Sequence, residues 1–199
     1  MRSTPTILTI GHSRHTLERF LALLEAGQVT AVADVRSAPA SRFSPQFNKN
    51  ALAASLAAQN IGYVFLGKEL GGRPEQAELY TQERADYEKM AASPDFRVGL
   101  VQLMEAAEQN RVAAMCSEAD PLDCHRCLLV GRALAEAGVE VGHILGSGEI
   151  ASHGAVEERL LQIEHLADDD LMMGSRHERL AEAYRARNRK AAYARPHKA

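Results

Sequence analysis

Five short apolar runs set the terms on which this chain can fold. Thr6 to Ile10, Val29 to Val35, Ile61 to Leu66, Val112 to Met115 and Val139 to Leu145 are too short for buried helices, and their apolar, often β-branched composition reads as strand. Between them the spacing turns helical. Leu17, Phe20, Leu21 and Leu24 form a stripe behind a Thr16 cap and stop at Gly27, while Ser93 and Pro94 open a helix that runs to Gln109. Helices are also predicted over 51–58, from Tyr80 to Met90, from Leu128 to Ala137 and from about His153 to Leu166. Strands alternating with helices call for parallel pairing joined by crossover helices. The expected fold is α/β: three layers, a mostly parallel five-stranded open sheet, and helices on both faces. Five strands are too few for an eight-stranded barrel.

In such a Rossmann-like sheet the carboxyl ends of the strands share one edge, and there this chain concentrates its polar chemistry. His12-Ser13-Arg14 follows the first strand, Asp34-Val35-Arg36-Ser37 the second, Gly71-Gly72-Arg73 the third, and Cys116 to Arg126 the fourth. Residues more than a hundred positions apart are thus expected at one rim. The densest stretch, Cys116 to Cys127, packs three thiols, three carboxylates, a histidine and an arginine into twelve residues. The segment Ala38 to Asn48 holds two prolines and two phenylalanines and reads as a loop of the kind that carries ligand contacts.

Length and composition bound the rest. The 199 residues suit an α/β domain over 1–170 followed by a basic helical tail over 171–199. Gly174 to Ala199 carries eight Lys or Arg against two Glu, a net of +6, leaving −9 on the rest of a chain whose total is −3. Such a tail can attract phosphate backbones, or it can be a solvated helix that frays. Three cysteines within twelve residues exclude a secreted disulfide framework. No signal region and no membrane-length apolar stretch is present, so a soluble cytoplasmic protein with no membrane partner is expected.

Taken together, Thr9-Ile10-Gly11-His12-Ser13, the run Asp34 to Arg42, Phe47-Asn48, Leu70-Gly71-Gly72, Cys116-Ser117-Glu118, Cys124-His125-Arg126 and Val141-Gly142-His143-Ile144 resemble the bacterial domain of unknown function 488 family. The resemblance covers roughly residues 6 to 145 and implies a compact α/β domain of cytosolic bacterial proteins, with no settled reaction. Cys116 and Cys124 match the family's two cysteines; Cys127 is an addition here.

The residues support three readings. The first is an enzyme acting on a phosphorylated, nucleotide or nucleic-acid substrate. Asp34, Glu118 and His12 are its candidate acids and bases and Cys116 its candidate nucleophile. Ser13, Arg14, Arg36, Ser37, Gly71, Gly72, His125 and Arg126 would hold the anion, helped by backbone amides near 122–124. Asp34, Arg36, Glu118 and Arg126 can equally form a structural ion-pair network, and Cys116 can be an inert core thiol. The second reading is a non-catalytic nucleic-acid binding module that uses the basic tail. The third is a metal or thiol-redox protein built on Cys116, Cys124, His125 and Cys127, although adjacent Cys124 and His125 are poor partners for one ion and separated ligand knuckles are missing. With no dinucleotide glycine fingerprint and no Gly-Lys-Thr/Ser phosphate loop, the commonest cradles for NAD and ATP are missing and no cofactor is expected; a cysteine-phosphatase loop is also argued against, because position 122, where it needs Arg, is Leu. His143 is expected as a hydrogen-bonded core residue; His15, His153, His165, His177 and His197 are expected at the surface.

Overall fold

The computed structural model describes residues 6–167 and 174–196. In chain order the elements are β1 (Thr6–Gly11), α1 (Leu17–Ala26), β2 (Ala31–Asp34), α2 (Lys49–Ala57), β3 (Gly62–Phe65), the short ribbon of β4 (Tyr80–Thr81) and β5 (Arg84–Ala85), α3 (Tyr87–Ala92), α4 (Pro94–Ala107), β6 (Val112–Cys116), α5 (Arg132–Glu136), β7 (Glu140–Ile144), β8 (Ile150–Ser152), α6 (His153–Ile163) and α7 (Arg176–Ala191). The main sheet has six strands in the order β3-β2-β6-β1-β7-β8, all parallel except the last. The sixth strand corrects the expectation of five. A turn with Gly148 at φ +100° folds the chain back after β7, and three residues then pair with the open β7 edge, too few to register as a periodic run.

Alternation along the strands separates two cores. Leu8, Ile10, Val32, Ala113, Met115 and Ile144 face α1 and α2, where Phe20, Leu24, Leu52 and Leu56 cover them. Ile7, Ala33, Ala114, Cys116 and Val141 face the other side, packed by α3, α4, α5, α6 and α7. Helix starts follow the expected chemistry: Thr16 accepts from the Arg19 N–H, and Ser93 caps α4 with Pro94 behind it.

The predicted helix over Tyr80 to Met90 forms only from Tyr87. Gln82 and Glu83 both take positive φ, 49° and 59°, and turn the chain into the β4–β5 ribbon. β5 then receives the carboxyl-terminal segment, since Ala85 N–H donates to Tyr193 O and Arg195 N–H to Glu83 O. Long-range pairing overrides local helical spacing there, and Asp86, accepting from the Glu88 and Lys89 N–H groups, starts α3 instead.

Within the basic segment, α7 begins at a Ser175–Glu178 capping box and lays Ala183 and Tyr184 into the core beside α6. Its cations meet the acidic body: Arg176 pairs with Glu158, Arg185 with Glu88, Arg187 with Asp123, and Lys190 with Glu164. The acidic run Asp168 to Asp170 and His197 lie outside the described residues. No helix among the described residues is long and apolar enough to cross a membrane.

Candidate functional site

Parallel strands bring their carboxyl ends to one edge, and a cavity of about 720 Å³ opens there. His12, Ser13 and Arg14 enter it from β1, Arg36 and Ser37 from β2, Gly72 from the loop after β3, and Cys116, Glu118, Cys124 and His125 from β6 and the turn that follows. Two backbone bonds tie the first and last groups together: His12 N–H donates to Cys116 O at 2.9 Å and Ser13 N–H to Ser117 O at 2.8 Å.

Three expected site residues stand behind the cavity wall. Asp34 is fully buried and spent on positioning: its carboxylate accepts from Arg36 Nε at 2.9 Å, Arg36 Nη2 at 2.6 Å, the Arg36 backbone N–H and the Tyr63 hydroxyl at 2.8 Å. Arg126 is equally buried and donates to the Glu118 and Ala119 carbonyls at 2.6 and 2.9 Å, so it staples the loop after β6. Gly71 packs on Ser37 and the Gly67 carbonyl, where a Cβ would sit only 2.3 Å from either. The amides proposed for an anion near 122–124 are also committed, Leu122 N–H to Asp120 Oδ1 and those of Asp123 and Cys124 to the Asp120 and Pro121 carbonyls.

Arg36 itself is held from both sides. Besides Asp34, its Nη2 donates to Phe47 O and its Nη1 lies 3.3 Å from His12 Nε2. His12 stacks on the Phe47 ring at 4.4 Å and donates from Nδ1 to the Ser13 carbonyl, which leaves Nε2 to accept from Arg36. Burial first, then the Arg36 charge, lowers His12 to about 4 against the partial opposition of the Ser13 carbonyl. His12 is therefore neutral at physiological pH.

The floor is a compact group of thiols, imidazole and carboxylate. Glu118 Oε2 lies 3.2 Å from Cys116 Sγ and 3.0 Å from Cys124 Sγ, and His125 Nδ1 is 3.7 and 3.8 Å from the same sulfurs. His125 Nε2 donates to the Val35 carbonyl at 2.9 Å, which turns the Nδ1 lone pair toward the thiols. Cys124 is extended (φ −140°, ψ 140°) and His125 is helical, and this break lets two adjacent side chains reach one point. Gly72 completes the packing: a Cβ on it would meet His125 Nδ1 at 2.7 Å.

Charge is shared unevenly across this floor. Burial raises the Cys116 thiol, and its hydrogen bond to Cys124 raises it further. Burial opposes ionisation of Cys124 too, but the Cys116 hydrogen bond, Arg126 and His125 outweigh it and hold Cys124 well below the ordinary thiol value. Glu118 is raised by burial and by the neighbouring Cys124 charge; His125 is raised because that charge overcomes its burial. The two buried thiols thus titrate as a pair, with Arg126 and His125 on the Cys124 side favouring the charged form, so the strand-end thiol Cys116 does not act apart from Cys124.

The rim is basic. Arg14 and Arg73 are exposed, and neither makes an ion pair among the described residues, whereas Asp123 on the same rim is taken by Arg187. Arg73 lies over the Tyr193 ring at 4.8 Å. Tyr87 and Tyr193 were not legible as site residues: Tyr193 arrives only through the pairing of the carboxyl-terminal segment with β5.

Cys127, the third thiol, points elsewhere. It lies 3.9 Å from His143 Nε2, in a second buried group that includes His153. His143 is the expected core histidine, but His153, expected at the surface, is buried at the start of α6. One set of tautomers satisfies every contact of the chain they form. Thr9 hydroxyl donates to His143 Nδ1 (2.8 Å), His143 Nε2 to His153 Nδ1 (3.0 Å), His153 Nε2 to the Tyr184 hydroxyl (3.1 Å), and that hydroxyl to Glu157 (3.2 Å). Both imidazoles are neutral in it.

A parallel sheet whose strand ends gather guanidinium groups, imidazoles and paired thiols around one cavity defines an α/β protein with a polar cleft at the usual ligand-binding edge. The chain belongs to the family described as Domain of unknown function DUF488, which matches residues 16–133. That span includes Arg36, Gly72, Cys116, Glu118, Cys124 and His125. No curated protein and no solved structure matches the chain.

Proposed function

We propose that the protein is an enzyme whose substrate carries phosphate, as a phosphorylated small molecule, a nucleotide or a nucleic-acid terminus, and reacts in the cavity at the strand ends. The observation that carries this reading is the pair Arg14 and Arg73, two exposed guanidinium groups without carboxylate partners among the described residues, at the mouth of a cavity floored by Cys116, Glu118, Cys124 and His125. Free guanidinium groups at a concave site favour phosphate by bidentate hydrogen bonding, and about 720 Å³ accommodates a nucleotide-sized ligand. In this scheme Arg36 presents its remaining Nη1 hydrogen to the substrate, with Asp34 and Tyr63 positioning it. The Ser13 and Ser37 side chains add neutral hydrogen bonds, and Glu118 or a thiol on the floor meets the reacting atom.

The module that binds nucleic acid through the basic segment draws less support, because Arg176, Arg185, Arg187, Arg189 and Lys190 are all engaged with carboxylates. Calorimetric titration with inorganic phosphate, nucleoside mono- and diphosphates and short oligonucleotides tests the proposal. Binding that weakens with salt, and about 10-fold or more in Arg14→Ala or Arg73→Ala, is expected. Absence of affinity for every phosphate-bearing ligand at low salt refutes it.

A further inference from the structure

We infer that the floor of the cavity is a metal centre: Cys116 Sγ, Cys124 Sγ and His125 Nδ1 bind one thiophilic divalent ion, zinc by the chemistry of the donors, with Glu118 Oε2 as the fourth donor on the side open to the cavity. This deepens the proposed function, whose cavity it shares, by placing a Lewis acid where a phosphate-bearing substrate would rest.

The donor geometry carries the inference. A tetrahedral zinc site with Zn–S of about 2.3 Å and Zn–N of about 2.0 Å sets sulfur and nitrogen ligands about 3.5 Å apart. The two sulfurs stand 3.7 and 3.8 Å from His125 Nδ1, and Glu118 Oε2 stands 3.2 and 3.0 Å from the sulfurs. Small side-chain shifts convert this cluster into a coordination shell. The outer contacts are those of a metal-binding histidine: Nε2 donates to a backbone carbonyl, which fixes the tautomer and leaves Nδ1 as the ligand atom. Cys124 Sγ also accepts from the Arg126 backbone N–H at 3.5 Å, a contact suited to a metal-bound thiolate.

The objection raised by the sequence was that neighbours such as Cys124 and His125 seldom serve one ion. The change from extended to helical backbone between them removes it. Two sulfurs, a nitrogen and a carboxylate oxygen form a borderline-soft set that selects zinc over magnesium or calcium. The second cluster provides an internal contrast. Cys127, His143 and His153 are equally close, but their ring nitrogens are consumed by the hydrogen-bonded chain from Thr9 to Glu157, and no carboxylate approaches the thiol within that set of contacts. The floor, in contrast, points three donors and a carboxylate inward at one another.

Cobalt(II) reports on the site directly. The reduced, chelator-treated full chain, titrated with Co²⁺ in the absence of oxygen, should take up one equivalent. Thiolate-to-cobalt charge-transfer absorption in the near ultraviolet and the intense visible bands of tetrahedral cobalt should appear, and both should vanish when Zn²⁺ is added. Cys124→Ser and Cys116→Ser should lose the charge-transfer band in proportion to the thiolates removed, while Cys127→Ser keeps the full spectrum. Gly72→Ala, which presses on the His125 ring, should weaken cobalt binding about 10-fold. No cobalt spectrum from the wild-type chain overturns the inference, as does a spectrum lost in Cys127→Ser but retained in Cys124→Ser; ready formation of a Cys116–Cys124 disulfide in a chain that takes no metal would mark the floor as a dithiol. The two readings separate cleanly. Cobalt binding in a chain with no affinity for phosphate-bearing ligands sinks the substrate proposal alone, and phosphate binding without cobalt uptake sinks the metal centre alone.

Discussion

Replacing Asp34 by Asn tests the claim that this carboxylate is a positioning group for Arg36. Asp34 is wholly inaccessible and Arg36 is 5 % exposed, so the pair has almost no water to fall back on. Asn keeps one carbonyl oxygen, enough for the Arg36 backbone N–H and Nε, but its amide nitrogen replaces the oxygen that now sits 2.6 Å from Arg36 Nη2. Two donors then face each other. The Tyr63 hydroxyl can turn and accept, so its contact survives in reversed sense. What is lost is one charge-assisted hydrogen bond and the only carboxylate paired with Arg36 among the described residues, for which breaking a buried pair typically costs about 3–5 kcal/mol. With a urea m-value of about 2 kcal/mol/M, the midpoint should fall by about 2 M with the slope unchanged. Adding Arg36→Met to Asp34→Asn should recover much of this loss, because the uncompensated cation is the dominant cost. A midpoint shift below about 0.5 M, or a double variant weaker than the single one, would refute the reasoning.

Other perturbations follow from the same contacts. Burial, and then its neighbour His153, lowers His143 from the ordinary 6.5 to about 3. Below 6.5 the unfolded chain binds a proton that the folded chain refuses, so this stabilisation is complete above 6.5 and declines by about 1.4 kcal/mol per pH unit toward 3, while His143→Asn should flatten that slope in denaturation series. In Gly11→Ala the new Cβ would stand 1.8 Å from the Glu118 carbonyl oxygen, so the loop after β6 must move; a loss of about 1–3 kcal/mol in urea unfolding is expected, and an unchanged midpoint would contradict the close approach. Arg126→Met removes the donors to the Glu118 and Ala119 carbonyls and should cost about 2–3 kcal/mol, with hydrogen exchange accelerated through 117–124 as the check.

Much of the site was legible because parallel topology converts sequence order into spatial convergence. Once β1, β2, β3 and β6 are recognised as parallel strands, His12, Arg36, Gly72 and Cys116 must approach one edge, and they do. The direction of each side chain was less accessible. Asp34 and Arg126 looked like catalytic and clamping groups by type, yet one holds Arg36 and the other holds backbone carbonyls, choices made by partners distant in sequence such as Tyr63, or by a loop conformation that composition does not encode. His153 shows the same limit. Nothing local marks it as buried, and it becomes so because α6 starts against β7, within reach of His143 and Tyr184.

The sequence alone determined the layering, because strand and helix periodicities are local and each apolar run has few ways to bury itself. It also determined which strand ends carry charge. Only the tertiary structure decided that Cys124 joins Cys116 while Cys127 turns to the histidine pair, that Tyr193 closes the cavity wall, and that Arg176, Arg185, Arg187 and Lys190 of α7 pair with carboxylates of the acidic body. Hydrogen bonds and ion pairs act over a few ångströms, so their partners are fixed only after distant segments have packed and the backbone between neighbours has taken its final turn.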